Sequence, residues 1–268
     1  MKKYTVLSAA LIALAACSTA HKTTSTATQS GVTVDGKLWT SLFQQRAAEY
    51  KALCFQAYNI ATLRLNESLQ QSTAKPRAIV TDLDETALDN SPFAVHQGLQ
   101  GKVYESAAWA QWTAMAAADT LAGAVTFFKY AAAHNVEVFY ITNRAESERT
   151  ATLQNLQRYG FPYADNAHLV LKPDNVGSSK EPRRQALSQT HDIILLLGDN
   201  LGDFSALFDK KEEAERLQNT IASAADFGKK FIVLPNANYG DWEGALAHYQ
   251  RLTLPQQDSL VKASVKGY

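Results

Sequence analysis

The sequence predicts an α/β fold: a parallel sheet with helices on both faces and a small, mainly helical cap inserted after the first motif strand. Three observations carry this. Short apolar, β-branched runs recur along the chain, each is followed by a polar loop, and helical patterns lie between them. Continuous apolar strands alternating with helices are what a sheet buried on both faces requires. The 268 residues are 46% hydrophobic and 19% charged, enough apolar material for one sizeable domain. Lys+Arg and Asp+Glu both total 26. That balance argues against a general binder of polymeric nucleic acid, which carries a basic surplus.

The first residues read as an expected leader. Lys2 and Lys3 precede a mostly apolar stretch at 4–16, and small residues run into Cys17. A helix needs about 20 residues to span a bilayer, so this stretch is too short, but it suits a signal peptide. Leu14-Ala15-Ala16-Cys17 resembles a bacterial lipobox, in which the cysteine is lipidated and becomes the mature N-terminus. An ordinary secretory peptide beside a stray cysteine is the alternative. Residues 1–16 are assigned to the signal peptide and 17–36 to a flexible tether. Eight of the fourteen residues at 18–31 are Ser or Thr, a composition that builds no core. Ser18, rather than Asp, follows the cysteine, which resembles the default outer-membrane signal of Gram-negative lipoproteins. With Cys17 acylated, Cys54 lacks a disulfide partner and reads as a buried thiol.

Residues 37–268 form the expected domain. Tyr50, Leu53, Cys54, Ala57, Ile60 and Ala61 recur at helical spacing, so a long amphipathic helix precedes the first strand. Strands are expected at 78–81, 136–141, 169–171, 193–197 and 231–234. A helix before the third strand closes at Tyr159-Gly160, where glycine suits the C′ position. The interval at 89–122 is too long for a simple crossover and holds its own helical pattern at 105–118. It is the expected cap.

Open α/β sheets bind ligands outside the carboxyl ends of their strands, and polar residues gather there. Asp82-Leu83-Asp84-Glu85-Thr86 follows the first strand and Thr142-Asn143-Arg144 the second. Lys172 and then Lys180 lie beyond the third, and Gly198-Asp199-Asn200-Leu201-Gly202-Asp203 follows the fourth. Singly, each has a bland reading: Asp84 as a turn residue, Thr142-Asn143 as a helix cap, Lys180 as a surface charge. Four such clusters in register with four strand ends are a strong signal. Carboxylates in one crevice repel by about 4 kcal/mol per pair at roughly 4 Å and an effective dielectric of about 20. Something positive belongs among Asp82, Asp84, Asp199 and Asp203. All-oxygen ligands favour Mg²⁺ with phosphate and water, whereas a calcium loop starting at Asp82 would need glycine where Ala87 stands. Asp82 and Asp84, two apart on an extended segment, project to one side. One can attack phosphorus while the other handles the leaving oxygen's proton. Lys180 and the Thr142 hydroxyl would hold phosphoryl oxygens.

The stretch from Asp82 to Thr86 resembles motif I of the haloacid-dehalogenase-like phosphatases, and Thr142, Lys180 and Asp199/Asp203 match motifs II, III and IV. The nearer resemblance is to the bacterial class C acid phosphatases, outer-membrane lipoproteins that act as 5′-nucleotidases. It rests on DLDETALDNSP at 82–92, Thr142-Asn143-Arg144, SSKEPRR at 178–184, GDNLGDF at 198–204 and LPNANYGDWE at 234–243. It implies a Rossmann-like fold, Asp82 as the nucleophile forming an aspartyl-phosphate, and Asp84 as general acid and then base. It also implies Mg²⁺ held by the Asp82 carboxylate, the Asp84 backbone carbonyl and Asp199, with Asp203 in support. Thr142, Asn143 and Lys180 would bind the phosphoryl group. A homodimer, and attachment to a Gram-negative outer membrane through lipid on Cys17, are further expectations of the resemblance. Thr81, Ala87 and Phe93 depart from the family's commonest residues, and Phe93 lacks a tyrosine hydroxyl.

Other phosphatase chemistries find no support: the chain has no Arg-His-Gly, Cys-x5-Arg loop, Gly-x-Ser-x-Gly elbow or Walker loop. His21, His96, His134, His168, His191 and His248 show no ligand spacing. Trp109 and Tyr239 are the expected stacking residues of a substrate pocket, with Trp112 and Trp242 read as packing. The expected substrates are small phosphate monoesters, 5′-nucleotides including nicotinamide mononucleotide. Two alternatives stay open: a broad sugar- or aryl-phosphate phosphatase, and a non-catalytic surface lipoprotein that only binds ligands. The intact Asp82 speaks against the second.

Overall fold

The computed structural model describes residues 31–268. Two helices, α1 (Val32–Arg46) and α2 (Ala48–Leu69), lead into strand β1 (Arg77–Thr81). A short antiparallel ribbon, β2 (Leu88–Asp89) with β3 (Asp119–Thr120), brackets α3 (Ser91–Leu99) and α4 (Ser106–Ala114). Then come α5 (Ala124–Ala133), β4 (Glu137–Ala145), α6 (Arg149–Tyr159), β5 (Leu169–Lys172) and α7 (Glu181–Ser188). The chain ends with β6 (Asp192–Gly198), α8 (Glu213–Ala222), β7 (Phe231–Val233), α9 (Asp241–Leu246) and α10 (Leu254–Ser264).

Five strands form one parallel sheet in the order β5-β4-β1-β6-β7. Alternate residues feed two cores. Ile79, Val138, Tyr140, Leu195 and Leu197 pack with Cys54, Leu65, Phe127 and Phe128 on one face. Ala78, Val80, Phe139, Ile141 and Leu196 join Phe204 on the other. Burial on both faces is why these strands read as unbroken apolar runs. From β1 the chain builds outward to β4 and β5, then returns to lay β6 and β7 on the opposite side. The resulting crevice opens at the carboxyl end of β1, where such sheets bind ligands.

Local departures from the sequence reading have physical causes. In α2, Tyr58 and Leu65 join the buried stripe while Leu53 is exposed. Cys54 is fully buried, and burial pushes its thiol up to about 11. Helix α4 stops at Ala114 instead of 118, because the chain leaves through Ala116 at a left-handed φ of 49°. Strand β4 continues past 141 to Ala145, which still pairs with Lys172 of β5. Helix α1 already starts at Val32, so residues 32–36, expected in the tether, are helical. The Thr33 N–H donates to Asp258 Oδ1 at 2.9 Å, Val34 is buried, and α1 packs on α3 and α10. The expected signal peptide, Cys17 and the Ser/Thr-rich stretch up to residue 30 lie outside the described residues. Among the described residues, no helix is long and apolar enough to cross a membrane.

Candidate active site

Asp82 leaves the carboxyl end of β1, its N–H still donating to Leu197 O at 3.0 Å. The chain then turns tightly: the N–H groups of Thr86, Ala87 and Leu88 all donate to Leu83 O, and Glu85 takes a left-handed φ of 55°. Asp82, Asp84 and Glu85 thereby line a cavity of about 320 Å³. Lys180, immediately before α7, places Nζ 2.5 Å from Asp82 Oδ1 and 2.6 Å from Asp203 Oδ1. Asp203 sits in a single turn after β6, where its Oδ2 accepts the Asn200 N–H at 3.0 Å. Gly198 makes this turn possible, since a Cβ there would come within 2.3 Å of the Asp203 Cβ. Asp199 accepts from Thr86 Oγ1 at 3.2 Å and from Asn236 Nδ2 at 2.8 Å.

Carboxylate oxygens of Asp82, Asp199 and Asp203 lie within 4.8 Å of one another. Burial pushes Asp82 up to about 7; Lys180 pulls it down, while Asp203 and Asp84 push it further up. Asp199 is held well above the usual carboxylate range, first by burial and then by Asp203 and Asp82. Burial works against the charge of Lys180, but Asp203 and Asp82 outweigh it and hold the ammonium above the usual lysine range. Once ionised, as a bound cation requires, three carboxylates around one ammonium make the cluster negative. The Lys180 ammonium is the close partner of Asp82 Oδ1. This close-set, all-oxygen donor group fits a hard divalent cation.

The Asp84 carboxylate stands apart from that trio. Arg144 Nη2 donates to its Oδ1 at 2.7 Å, and Arg144 Nε reaches Oδ1 and Oδ2 at 3.1 and 3.2 Å. Asn90 Nδ2 adds a bond at 2.9 Å, and Trp112 Nε1 fixes Asn90 Oδ1 at 2.8 Å. Arg144 and Asn90 are not among the site residues expected from sequence. The available signal for Arg144 is its place two residues after Thr142 on an extended strand, hence on the same side. Thr142 itself is fully buried, and its Oγ1 accepts the Arg144 N–H at 3.2 Å. Asn143 and Lys180 line the cavity; Thr142 and Lys172 do not.

Aromatic residues form one wall. Trp109 meets Phe93 edge to face at 5.2 Å and Tyr104 at 6.2 Å, with the Arg144 guanidinium carbon 5.8 Å from its ring centroid. Tyr239 also lines the cavity, and its hydroxyl donates to Glu85, whose other oxygen accepts the Asn90 N–H at 2.8 Å. Burial, reinforced by Asp84, pushes Glu85 up to about 8. Trp112 packs against the core as expected, but Trp242 is exposed.

Residues 2–242 match the sequence profile of the HAD superfamily, subfamily IIIB (Acid phosphatase). The chain belongs to this family. Among solved structures, this acid phosphatase family member is similar to the class C acid phosphatase from Bacillus anthracis. Identity is 42% and the TM-score 0.84, over 88% of this chain and 99% of that one. The tungstate-bound structure of the class C acid phosphatase from Bacillus anthracis matches with the same identity and TM-score, over 98% of its chain. Acid phosphatase 1 of Solanum lycopersicum is 27% identical over 113 residues, 40% of this chain and 44% of that protein. The match thus spans less than half of the tomato protein. HAD phosphatases generally use a divalent metal, and Asp82, Asp199 and Asp203 are the acidic cluster that fits one.

Proposed function

We propose that this protein hydrolyses phosphate monoesters with Mg²⁺ as its cofactor and Asp82 as its nucleophile, and that 5′-nucleotides, nicotinamide mononucleotide among them, are its preferred substrates. One observation carries the reading: Asp82 lines the cavity with Lys180 Nζ 2.5 Å from its carboxylate, and Asp84 follows two residues on. The Asp82 carboxylate attacks phosphorus, the ester P–O bond breaks, and Asp84 delivers a proton to the leaving oxygen. Asp84 then takes a proton from the water that attacks the aspartyl-phosphate, and inorganic phosphate leaves. Arg144 and Asn90 hold Asp84 in place for both transfers. Lys180 and Asn143 offer donors to the phosphoryl oxygens, with Thr142 bracing Arg144 behind them. A bound divalent cation supplies positive charge for the same oxygens. The Bacillus anthracis relative binds tungstate, an oxyanion like phosphate, which supports an oxyanion site here.

The aromatic lining of Trp109, Phe93 and Tyr104, together with Tyr239, supports a leaving group that carries a flat base. The lipobox-like sequence supports a mature chain that begins at acylated Cys17 and is held at an outer membrane, and the family suggests a homodimer. The test is a panel of nucleotide, sugar, aryl and alkyl phosphates assayed with Mg²⁺ and with chelator, alongside Asp82→Asn, since an amide is a poor nucleophile. Activity on the panel should vanish with chelator and return with Mg²⁺. Full activity after exhaustive demetallation, or near-normal turnover by Asp82→Asn, would end this reading. A flat profile across the panel would favour the broad phosphatase.

A further inference from the structure

The segment at 178–184 carries two arginines that the mechanism above leaves without a task, and each is tied to a different neighbour of Lys180. Arg183 Nη1 donates to Thr142 O at 2.6 Å, and its Nη2 to Asn143 Oδ1 at 2.7 Å and Ser179 O at 3.3 Å. Arg184 is buried; its Nη1 donates to Gly202 O at 2.9 Å and Asp203 O at 2.8 Å, and its Nη2 to Glu181 Oε2 at 2.5 Å. Successive residues of a helix project about 100° apart. Helix α7 therefore sends one arginine to the end of β4 and the other to the turn after β6. Lys180 stands between the two, with Nζ on both Asp82 and Asp203. Neither arginine lines the cavity, so both act through other residues. Each spreads its bonds over two nitrogens, which a planar guanidinium can do and a single ammonium cannot.

We propose that Arg183 and Arg184 are positioning residues that set two properties of the site separately. Arg183 fixes the Thr142-Asn143 segment against which the phosphoryl group sits. Arg184 fixes the Asp203 turn that completes the carboxylate trio. The inference rests on the phosphatase reading.

The experiment uses the full chain with inorganic phosphate and Mg²⁺ as probes. For Arg183→Lys, inhibition by inorganic phosphate should weaken about 10-fold, with KM rising in step. The Mg²⁺ concentration giving half of the thermal stabilisation should stay within about twofold of wild type. Arg184→Lys should do the reverse, moving that Mg²⁺ midpoint up by about 10- to 100-fold and leaving phosphate inhibition at saturating Mg²⁺ nearly unchanged. Arg184→Gln is made alongside in case lysine packs badly. Equal shifts of both constants in both arginine variants, or no shift in either, would overturn the inference. So would failure of both Arg184 variants to fold, since the arginine would then hold the domain rather than the site. Wild-type protein that turned over no monoester would sink the phosphatase reading instead. The melts need no turnover and keep the two results apart.

Discussion

Arg144 grips Asp84 through both carboxylate oxygens, with Nη2 2.7 Å from Oδ1 and Nε 3.2 Å from Oδ2, and its own side chain is only 2% exposed. Thr152 holds the far side of the guanidinium, accepting from Nη1 at 3.1 Å. Breaking such a buried pair by removing one partner strands the other charge. Asp84 is therefore oriented by a partner that cannot easily let go.

This leads to a leaving-group prediction. Arg144→Lys keeps the charge but loses the fork, so Asp84 should be misaimed as a proton donor. Turnover of alkyl phosphates, which need the proton most, should fall by about 10²-fold, and that of nitrophenyl phosphate by much less. Asp84→Asn should show the same pattern more steeply. The measurement is kcat across esters of graded leaving-group pKa. Uniform loss across the series would separate Arg144 from proton transfer.

The metal-free site should also betray itself in stability. Burial raises Glu85 to about 8 and Asp82 to about 7, whereas both ionise near pH 4 in an unfolded chain. Between roughly pH 4 and 8 the folded state holds more of these protons than the unfolded state. Its stability from these groups is present at the acidic end and is lost as pH rises through the window. Melts in chelator should show Tm falling by several degrees from pH 5 to pH 8. Added Mg²⁺ should stabilise more at pH 8 than at pH 5, because a cation needs the carboxylates ionised. A Tm in chelator that climbed across that range would refute the assigned protonation.

How far the sequence reaches depends on the distance over which a feature is encoded. Strands such as β6 declare themselves locally, through Ile193 to Leu197, because burial on both faces demands an apolar residue at every position. The clusters at Asp82, Lys180 and Asp199 were legible because each directly follows such a strand or opens the next helix. Arg144 and Asp84 are 60 residues apart, and nothing in either neighbourhood announces that they pair. The tether boundary failed for a similar reason. Residues 32–36 carry no strong helical pattern, and contacts with Asp258 and α3 decide their structure. Thr142 is expected at a strand end; β4 runs on through it, and its buried hydroxyl accepts the Arg144 N–H, a contact that no local pattern encodes.

The anchoring proposal has a direct check. Residues 17–30 offer mostly Ser and Thr and no apolar face, so acyl chains on Cys17 would be the membrane attachment. Cys17→Ser should move the protein from the membrane pellet to the soluble fraction while leaving its activity intact. Tight membrane association after that change would point to a different anchor.

Trp109 and Tyr239 line the cavity together, and the proposed substrate preference would turn on them. The phosphoryl site alone treats all monoesters alike, so any preference for nucleotides must come from binding energy remote from phosphorus and expressed in kcat/KM. Stacking a base on an aromatic ring is worth about 1–3 kcal/mol, roughly 5- to 150-fold if fully realised in the transition state. Trp109→Ala and Tyr239→Ala should each erode the ratio of kcat/KM for a nucleoside 5′-monophosphate over glycerol phosphate. Tyr239 has a second task, since its hydroxyl also holds Glu85. Tyr239→Phe separates the two: it keeps the ring and loses the hydrogen bond, so the nucleotide preference should survive while the two substrates lose rate together. Loss of preference in Tyr239→Phe would assign selectivity to the Glu85 contact rather than to stacking. Equal rates for both substrates in wild type would remove the nucleotide preference altogether and leave a general monoesterase.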